Sequence, residues 1–510
     1  MSSGLYFLFL LIVRCPPEVA SYEKIENKIM LITYANTLGG SLAQLERVLA
    51  QYFPGAFGGI HILPFFPSSG DQGFAVIRYD IVDPRFGTWD DVDRLGQQYY
   101  LMADFMLNHI SIRSEEFRDY MHRGDASPFR EMFIHWDTFW PGGEPSEEEL
   151  NTLYRRKAGG PYRTFVRDDG KTVRLWNTFF EEQIDINPYA APTQKYYQNN
   201  LGLLASHVPL VRFDAFAYAS KRPGTSCFFV EPDIWNILEI GMEPLRKAGA
   251  EMLPEIHEKY TIQMKMAERG HWVYDFALPM LLLHGLHFGR ADCLIHWLNI
   301  CPQKQFTTLD THDGIGLVDA EGLLTGDEID ATQEIVDALT ADIRPYLPFP
   351  SVVRVPGKPV QRYQMMTTYY SALGCDDRAY LLARAIQFFS PGIPQVYYVG
   401  VLAGENDVEE LRTNPDPRAV NRHPFTEQEI AASVQRPIVR RLQALMRLRN
   451  TCPAFNGDIC VKTGGDNSKL TITWTNSACS ITLCADLADK SFCITERRGE
   501  SYIEHFCQPA

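Results

Sequence analysis

Three acidic residues stand at the ends of three strand-like apolar runs near the middle of the chain. They are Asp214, closing Val208-Pro-Leu-Val-Arg-Phe-Asp214, Glu255, closing Ala250-Glu-Met-Leu-Pro-Glu255, and Asp313, closing Phe306-Thr-Thr-Leu-Asp-Thr-His-Asp313. A carboxylate is costly beside a buried strand unless it is paired or used. In a (β/α)8 barrel the C-terminal mouth of the strands is where chemistry takes place. A carboxylate nucleophile with a carboxylic acid cleaves a glycosidic bond with retention, so the triplet points to sugar chemistry. Arg212 shares a strand face with Asp214, and a guanidinium there is expected to keep the carboxylate ionised. Glu255 follows Leu253-Pro254, a less polar setting that favours the protonated form a general acid needs. Asp313 follows His312, a donor for sugar hydroxyls. A third carboxylate would orient the sugar and favour the distorted ring of an oxocarbenium-like transition state. The acids are spaced by 41 and 58 residues, and the first interval leaves room for one helical return between successive strands. One such acid alone reads as a helix cap or a surface ion pair. Three at successive strand ends, with Arg212, His257 and His312 beside them, read together as a site.

The elements that must position these acids alternate. Lys28–Thr33, Gly58–Leu63 and Tyr99–Leu107 read as buried strands, with helices over Ser41–Tyr52 and Asp90–Gln98 between them. After a break the alternation resumes. A helix from Pro192 to about Ser206 leads to the strand ending at Asp214, and a helix over Glu231–Ala248 leads to the strand ending at Glu255. His271–Tyr274, Thr307–Leu309 and Ile393–Tyr398 supply the remaining strands. Eight strands with helices between them predict a (β/α)8 TIM barrel of the α/β class. It carries inserted loop domains and a small C-terminal antiparallel β domain, the latter signalled by Lys469–Trp474 and Cys479–Leu483. The expected division is an N-terminal extension at 1–27, barrel segments at 28–110, 188–314 and 365–449, an inserted domain at 111–187, a second, irregular insertion with the acceptor loop at 315–364, and the C-terminal domain at 450–510. The first insertion is long, charged and aromatic, which suits a functional loop better than a plain connection.

With 510 residues the chain is too long for one compact core. A net charge of −15 argues against a nucleic-acid partner, although a local basic pocket on an acidic protein still suits an anion. The 11 cysteines lack paired spacing. In a chain this large they are expected to be mostly reduced, with Cys227, Cys301 and Cys375 as small buried side chains. The apolar run Leu5–Val13 is too short to span a bilayer. It has the length of a signal-peptide core, and Val19-Ala20-Ser21 offers a cleavage site, but no basic residue precedes it. The expectation is a cytoplasmic protein without stable membrane association, or a secreted one if that run is a signal peptide.

Several motifs carry a family resemblance. Asp104-Phe-Met-Leu-Asn108-His109, Val211-Arg-Phe-Asp214, Glu255-Ile-His257 and Thr311-His312-Asp313 resemble the four short motifs of the α-amylase family. His61-Ile-Leu-Pro-Phe-Phe-Pro, Gly224-Thr-Ser-Cys-Phe, Val273-Tyr-Asp-Phe-Ala-Leu-Pro, Asp310-Thr-His-Asp-Gly-Ile-Gly, Thr368-Tyr-Tyr-Ser-Ala-Leu and Pro394-Gln-Val-Tyr-Tyr-Val-Gly look like its sucrose phosphorylase branch, which includes sucrose 6-phosphate phosphorylases. The resemblance runs from about Lys28 to the C-terminus. It implies a retaining glucosyl transfer in which Asp214 attacks, Glu255 protonates the leaving oxygen, Asp313 stabilises the transition state, and inorganic phosphate opens the β-glucosyl-enzyme to α-glucose 1-phosphate. It further implies that Asp71, Phe74, His109, Arg212, His312 and Arg422 hold the glucosyl ring, with Phe179 and Gln183 reaching in from the first insertion. Tyr218, His257, Tyr363 and Gln364 would line the acceptor side.

The acceptor segments are basic here, with Arg155 and Arg156 in one, and Arg354, Lys358 and Arg362 in the other. Sucrose phosphorylases carry a small-residue loop at the second place, whereas the doubled Arg155-Arg156 looks more like the sucrose 6-phosphate enzymes. Arginine suits a phosphate or carboxylate because its fork bonds two oxygens at once. Arg155, Arg156, Arg354 and Lys358 are therefore the acceptor-side anion candidates. The leaving group is fructose or fructose 6-phosphate, with glycerate or glycerol as the alternative, and a plain glucosidase or transglucosidase as another. The expected partners are small molecules only. No dense ligand run for calcium is present, so neither a metal nor another cofactor is expected, and the oligomer would be a monomer or homodimer.

Overall fold

The computed structural model describes residues 25–510 apart from 158, 348–350, 355–360 and 415. The apolar run at the N-terminus and Lys358 lie outside the described residues. Eight parallel strands form one sheet: β1 (Met30–Thr33), β2 (Gly59–Ile62), β3 (Tyr100–Met106), β4 (Leu210–Asp214), β5 (Glu251–Pro254), β6 (Val273–Asp275), β7 (Gln305–Thr307) and β8 (Ile393–Tyr397). Their hydrogen-bonded order is β6-β7-β8-β1-β2-β3-β4-β5, and β5 and β6 lie side by side at the seam. This is the expected (β/α)8 barrel.

The strands read as apolar runs because both faces are covered, as parallel strands in α/β folds require. One core fills the barrel, with Met30, Met102, Leu210, Leu253, Tyr274, Phe306 and Ile393 contributed by seven different strands. A larger core packs the outer faces against the helices. Helix Leu42–Tyr52 is representative: Ser41 caps it by accepting from Gln44 N, and Leu42, Leu45, Val48 and Leu49 form its buried stripe.

Between β3 and β4, strand His109–Ser111 pairs antiparallel with Gln183–Asp185. That short ladder returns the chain to the barrel mouth and sets Ser111 directly opposite Gln183. The intervening residues fold around a small core of Trp136, Trp140, Leu153 and Trp176, which Cys227 joins from the loop after β4. Between Gly314 and Tyr363, read as irregular, the described residues form regular elements. Ile315–Gly316, Gln361–Met365 and Ser351–Val353 form a sheet, and Gly326–Leu339 is a helix started by a capping box of Thr325 and Glu328. Five antiparallel strands close the fold: Asp458–Thr463, Lys469–Thr475, Ser480–Asp486, Ser491–Arg498 and Ser501–Gln508.

All ten cysteines among the described residues are free, and Cys227 and Cys301 are buried as expected. Cys375 is exposed, because it lies in the turn between helices Tyr369–Ala372 and Asp377–Phe389, not in the core. No helix among the described residues is long and apolar enough to cross a membrane.

Candidate active site

A cavity of about 450 Å³ opens at the C-terminal ends of the barrel strands. Its wall includes Asp214, Glu255 and Asp313. Asp214 is the last residue of β4, Glu255 immediately follows β5, and Asp313 lies in the loop after β7. Their side chains are 15, 13 and 22% exposed, so each faces the cavity from an otherwise buried position.

Ala215 connects the first two. It takes a left-handed φ of 52°, a conformation that costs a residue with a Cβ. In that turn its N–H donates to Glu255 Oε2 at 3.0 Å. Glu255 Oε1 lies 3.4 Å from His257 Nε2, and His257 Nδ1 is 3.4 Å from the buried Asp319. The surroundings of Glu255 are therefore more polar than Leu253-Pro254 suggests, and the Leu253 side chain packs in the barrel core.

Arg212 Nη1 donates to Asp214 Oδ1 at 2.8 Å and also pairs with Asp104. His61 Nε2 approaches the other Asp104 oxygen at 2.7 Å. Burial favours the protonated Asp104 carboxyl, but His61 and Arg212 overcome it and hold the group down at about 2. For Asp214 the balance differs from the sequence expectation. Burial pushes its carboxyl well above the usual range, Arg212 opposes this, and the charges of Glu255 and Asp104 add to the rise. Asp313 behaves in the opposite way. Despite burial, the Arg418 and Arg422 guanidiniums hold it well below the usual carboxylate range. His312 is pushed down to about 3, first by burial, and so is a neutral ring.

One end of the cavity is a dense polar grip. Gln183 Nε2 donates to Asp71 Oδ2 at 3.0 Å, and Arg418 pairs with Asp71 Oδ1. His109 Nε2 meets the Phe74 carbonyl at 3.1 Å, and the Phe74 and His312 rings stack at 4.8 Å. The other end is aromatic and cationic. Phe179 meets Tyr218 edge-on at 4.9 Å, and the Arg156 guanidinium lies 3.7 Å over the Tyr363 ring. His257, Tyr363 and Gln364 complete that wall.

The cavity thus gathers Asp71, Phe74, His109, Phe179, Gln183, Tyr218, His257, His312, Tyr363 and Gln364 with the three acids. Arg212 and Arg422 lie behind the wall. Arg422 Nε donates to the His312 carbonyl at 2.9 Å, and its Nη2 is 3.7 Å from Asp313. Arg418, which the sequence analysis did not name, faces the cavity where Arg422 lies behind it. It lies one helical turn earlier in Pro417–Asn421 and lines the cavity itself. The signal was its i−4 spacing to Arg422.

Of the four anion candidates, Arg156 lines the cavity. Its Nη1 is buried without a hydrogen-bond partner. Arg155 turns away and donates to the Gly159 carbonyl at 3.1 Å. Arg354 is exposed and meets Arg155 through backbone bonds of 3.1 and 3.2 Å. Neither lines the cavity, and an antiparallel bridge joins their backbones. Lys157, which was not singled out, does line it.

The model of the α-amylase catalytic domain matches residues 55–223. A sucrose phosphorylase of Streptococcus mutans is 48% identical, over 85% of this chain and 89% of the relative. A glucosylglycerol phosphorylase of Marinobacter adhaerens is 40% identical, over 92% and 97%. The crystal structure of sucrose 6F-phosphate phosphorylase from Thermoanaerobacter thermosaccharolyticum superposes with a TM-score of 0.90 at 38% identity, covering 96% of this chain and all of the other.

Proposed function

The chain belongs to the sucrose phosphorylase branch of the α-amylase family, and from that membership we propose that it is a retaining α-glucoside phosphorylase acting on sucrose or sucrose 6-phosphate. The observation that carries the reading is the pairing of Asp214 and Glu255 at the mouths of adjacent strands, joined through Ala215. Two carboxylates in one cavity supply a nucleophile and a proton carrier.

In the first step an Asp214 oxygen attacks the anomeric carbon while Glu255 gives its proton to the glycosidic oxygen. The C1–O bond breaks, the leaving group departs and a β-glucosyl ester remains on Asp214. A protonated Glu255 no longer adds its charge to the field at Asp214, which removes one of the influences favouring the neutral carboxyl, and Arg212 opposes the rest. Asp313, held ionised by the arginines around it, stabilises the positive charge at C1. In the second step a phosphate oxygen attacks C1 from the face the leaving group vacated, the ester bond breaks, and Glu255 takes the proton that phosphate loses. Two inversions give α-glucose 1-phosphate.

The polar grip of Asp71, Gln183, His109, His312 and Arg418 suits the glucosyl hydroxyls. The aromatic end suits the leaving group and then phosphate, with Arg156 and Lys157 as the available cations and His257 beside them. The unpartnered Arg156 Nη1 favours an anionic leaving group, fructose 6-phosphate over fructose. Glucosylglycerate fits the same charge, while a glucosidase would release glucose without phosphate. The test is release of glucose 1-phosphate from sucrose, sucrose 6-phosphate, glucosylglycerol and glucosylglycerate, with and without phosphate. We expect turnover to require phosphate and kcat/KM to be highest for sucrose 6-phosphate. Arg156→Ala should lower that value by about 10–100-fold, the worth of a charge-assisted bond, and leave sucrose nearly unaffected. An equal loss on both substrates would refute the role of Arg156, and glucose release at the same rate without phosphate would refute the phosphorylase reading.

A further inference from the structure

The last three strands set three cysteines in register. Cys484 lies directly opposite Cys493, and Cys493 directly opposite Cys507. The inner face of this sheet buries Leu483, Ala485, Phe492 and Ile494, so strand alternation puts the cysteines on the outer face. Cys484 and Cys507 are exposed and Cys493 is partly so. A free cysteine is ordinarily among the most buried residues, and the outward row beside these three carries Thr473, Thr482 and Thr495.

A bulge brings a fourth group to the row. The pairing slips beyond Ile494, which faces Phe506, whereas Thr495 faces Glu504 and leaves His505 as the extra residue. An extra residue reverses the alternation and re-aims the side chains that precede it. His505 bonds the buried Glu496 at 2.8 Å, while Glu504 comes out beside the thiols. Cys493 Sγ is 3.7 Å from Glu504 Oε2, and the ligand atoms of Cys493, Glu504 and Cys507 all lie within 4.8 Å of one another. Zinc bonds of about 2.3 Å to sulfur and 2.0–2.2 Å to oxygen in a tetrahedron put ligand atoms roughly 3.5–3.8 Å apart. Side-chain rotations on an exposed face close that difference.

We propose that Cys493, Glu504 and Cys507 form a surface site for a thiophilic divalent cation of the zinc type, with Cys484 or water completing a tetrahedral set. Binding displaces one proton from each coordinating thiol, as thiolate ligation demands. The ion ties Ser501–Gln508 to Ser491–Arg498. None of these residues lines the catalytic cavity. The second sulfur cluster, Cys452, Cys479 and Glu496, is buried, and its carboxylate already faces Arg498 and His505. It serves as the control.

The test uses the full chain, reduced with a phosphine, stripped with a chelator and titrated with Cd²⁺ as the probe. The expected result is one equivalent bound with cadmium–thiolate charge-transfer absorption, displaced by Zn²⁺, and a zinc-dependent rise in unfolding temperature. Cys493→Ser with Cys507→Ser should abolish both signals with the circular dichroism of the fold unchanged. Glu504→Gln should weaken binding by about tenfold or more, since even outer partners of a metal site are worth that much. Cys452→Ser should change neither signal. Absence of Cd²⁺ binding by the reduced chain, or an undiminished signal in the double serine variant or in Glu504→Gln, would overturn the proposal.

Discussion

Ala215 donates its backbone N–H to Glu255 Oε2 at 3.0 Å, so the residue that follows the proposed nucleophile also positions the proposed acid. The left-handed turn at Ala215 directs that N–H across to β5. Local strain at one residue thereby fixes the relation between two strand ends.

If Glu255 serves only to move the proton, its loss should depend on the leaving group. Glu255→Gln is expected to lower sucrose turnover by on the order of 10³-fold. With α-glucosyl fluoride, whose leaving group needs no proton, the first step should be largely restored. Burst kinetics with the fluoride would read this directly. An equal loss with both donors would mean that Glu255 does something other than protonate the leaving oxygen.

Arg418 and Arg156 stand at opposite ends of the cavity and should differ in substrate dependence. Arg418 reaches both Asp71 and Asp313. Its replacement by Ala should reduce kcat/KM about 10–100-fold for every glucosyl donor, whatever the leaving group. Arg156→Ala should discriminate among donors. A donor-selective effect at Arg418 would contradict the assignment of that end to the glucosyl ring.

The Asp104 carboxyl, held at about 2 by His61 and Arg212 against its burial, lies below the unfolded value of about 3.9. A depressed folded pKa gives stability that is present above the unfolded value and lost as pH falls through the folded one. The difference amounts to about 2–3 kcal/mol. Unfolding by urea between about pH 5 and pH 2 should show this loss, and Asp104→Asn should flatten the acid limb while lowering stability at neutral pH. An unchanged acid slope in that variant would place the titration elsewhere.

The barrel was legible because its strands are short apolar runs that alternate with helices outside the two insertions, and Asp214 and Glu255 fall at their ends. The arginines were less so. Arg418 and Arg422 are four residues apart in one loop, and sequence spacing does not say which faces the cavity and which supports the His312 carbonyl from behind. The charge of Arg155 looked equivalent to that of Arg156, but the bridge between Arg155 and Arg354 turns one side chain away and leaves the next pointing in. The setting of Glu255 was misread because the N–H of Ala215 and the ring of His257 reach it from outside its own strand. Helix Gly326–Leu339 could have been found from its Thr325–Glu328 capping box. Strand Ser501–Gln508 could not, since its bulge and exposed face break the alternation.

The double displacement requires a covalent glucosyl ester on Asp214. The most direct measurement is acid-quenched peptide mapping of the Glu255→Gln variant turning over α-glucosyl fluoride without phosphate, conditions under which the ester should accumulate. The account predicts a single hexosyl adduct on the peptide containing Asp214, discharged by an added anionic nucleophile such as azide. No adduct, or an adduct on a peptide without Asp214, would contradict it.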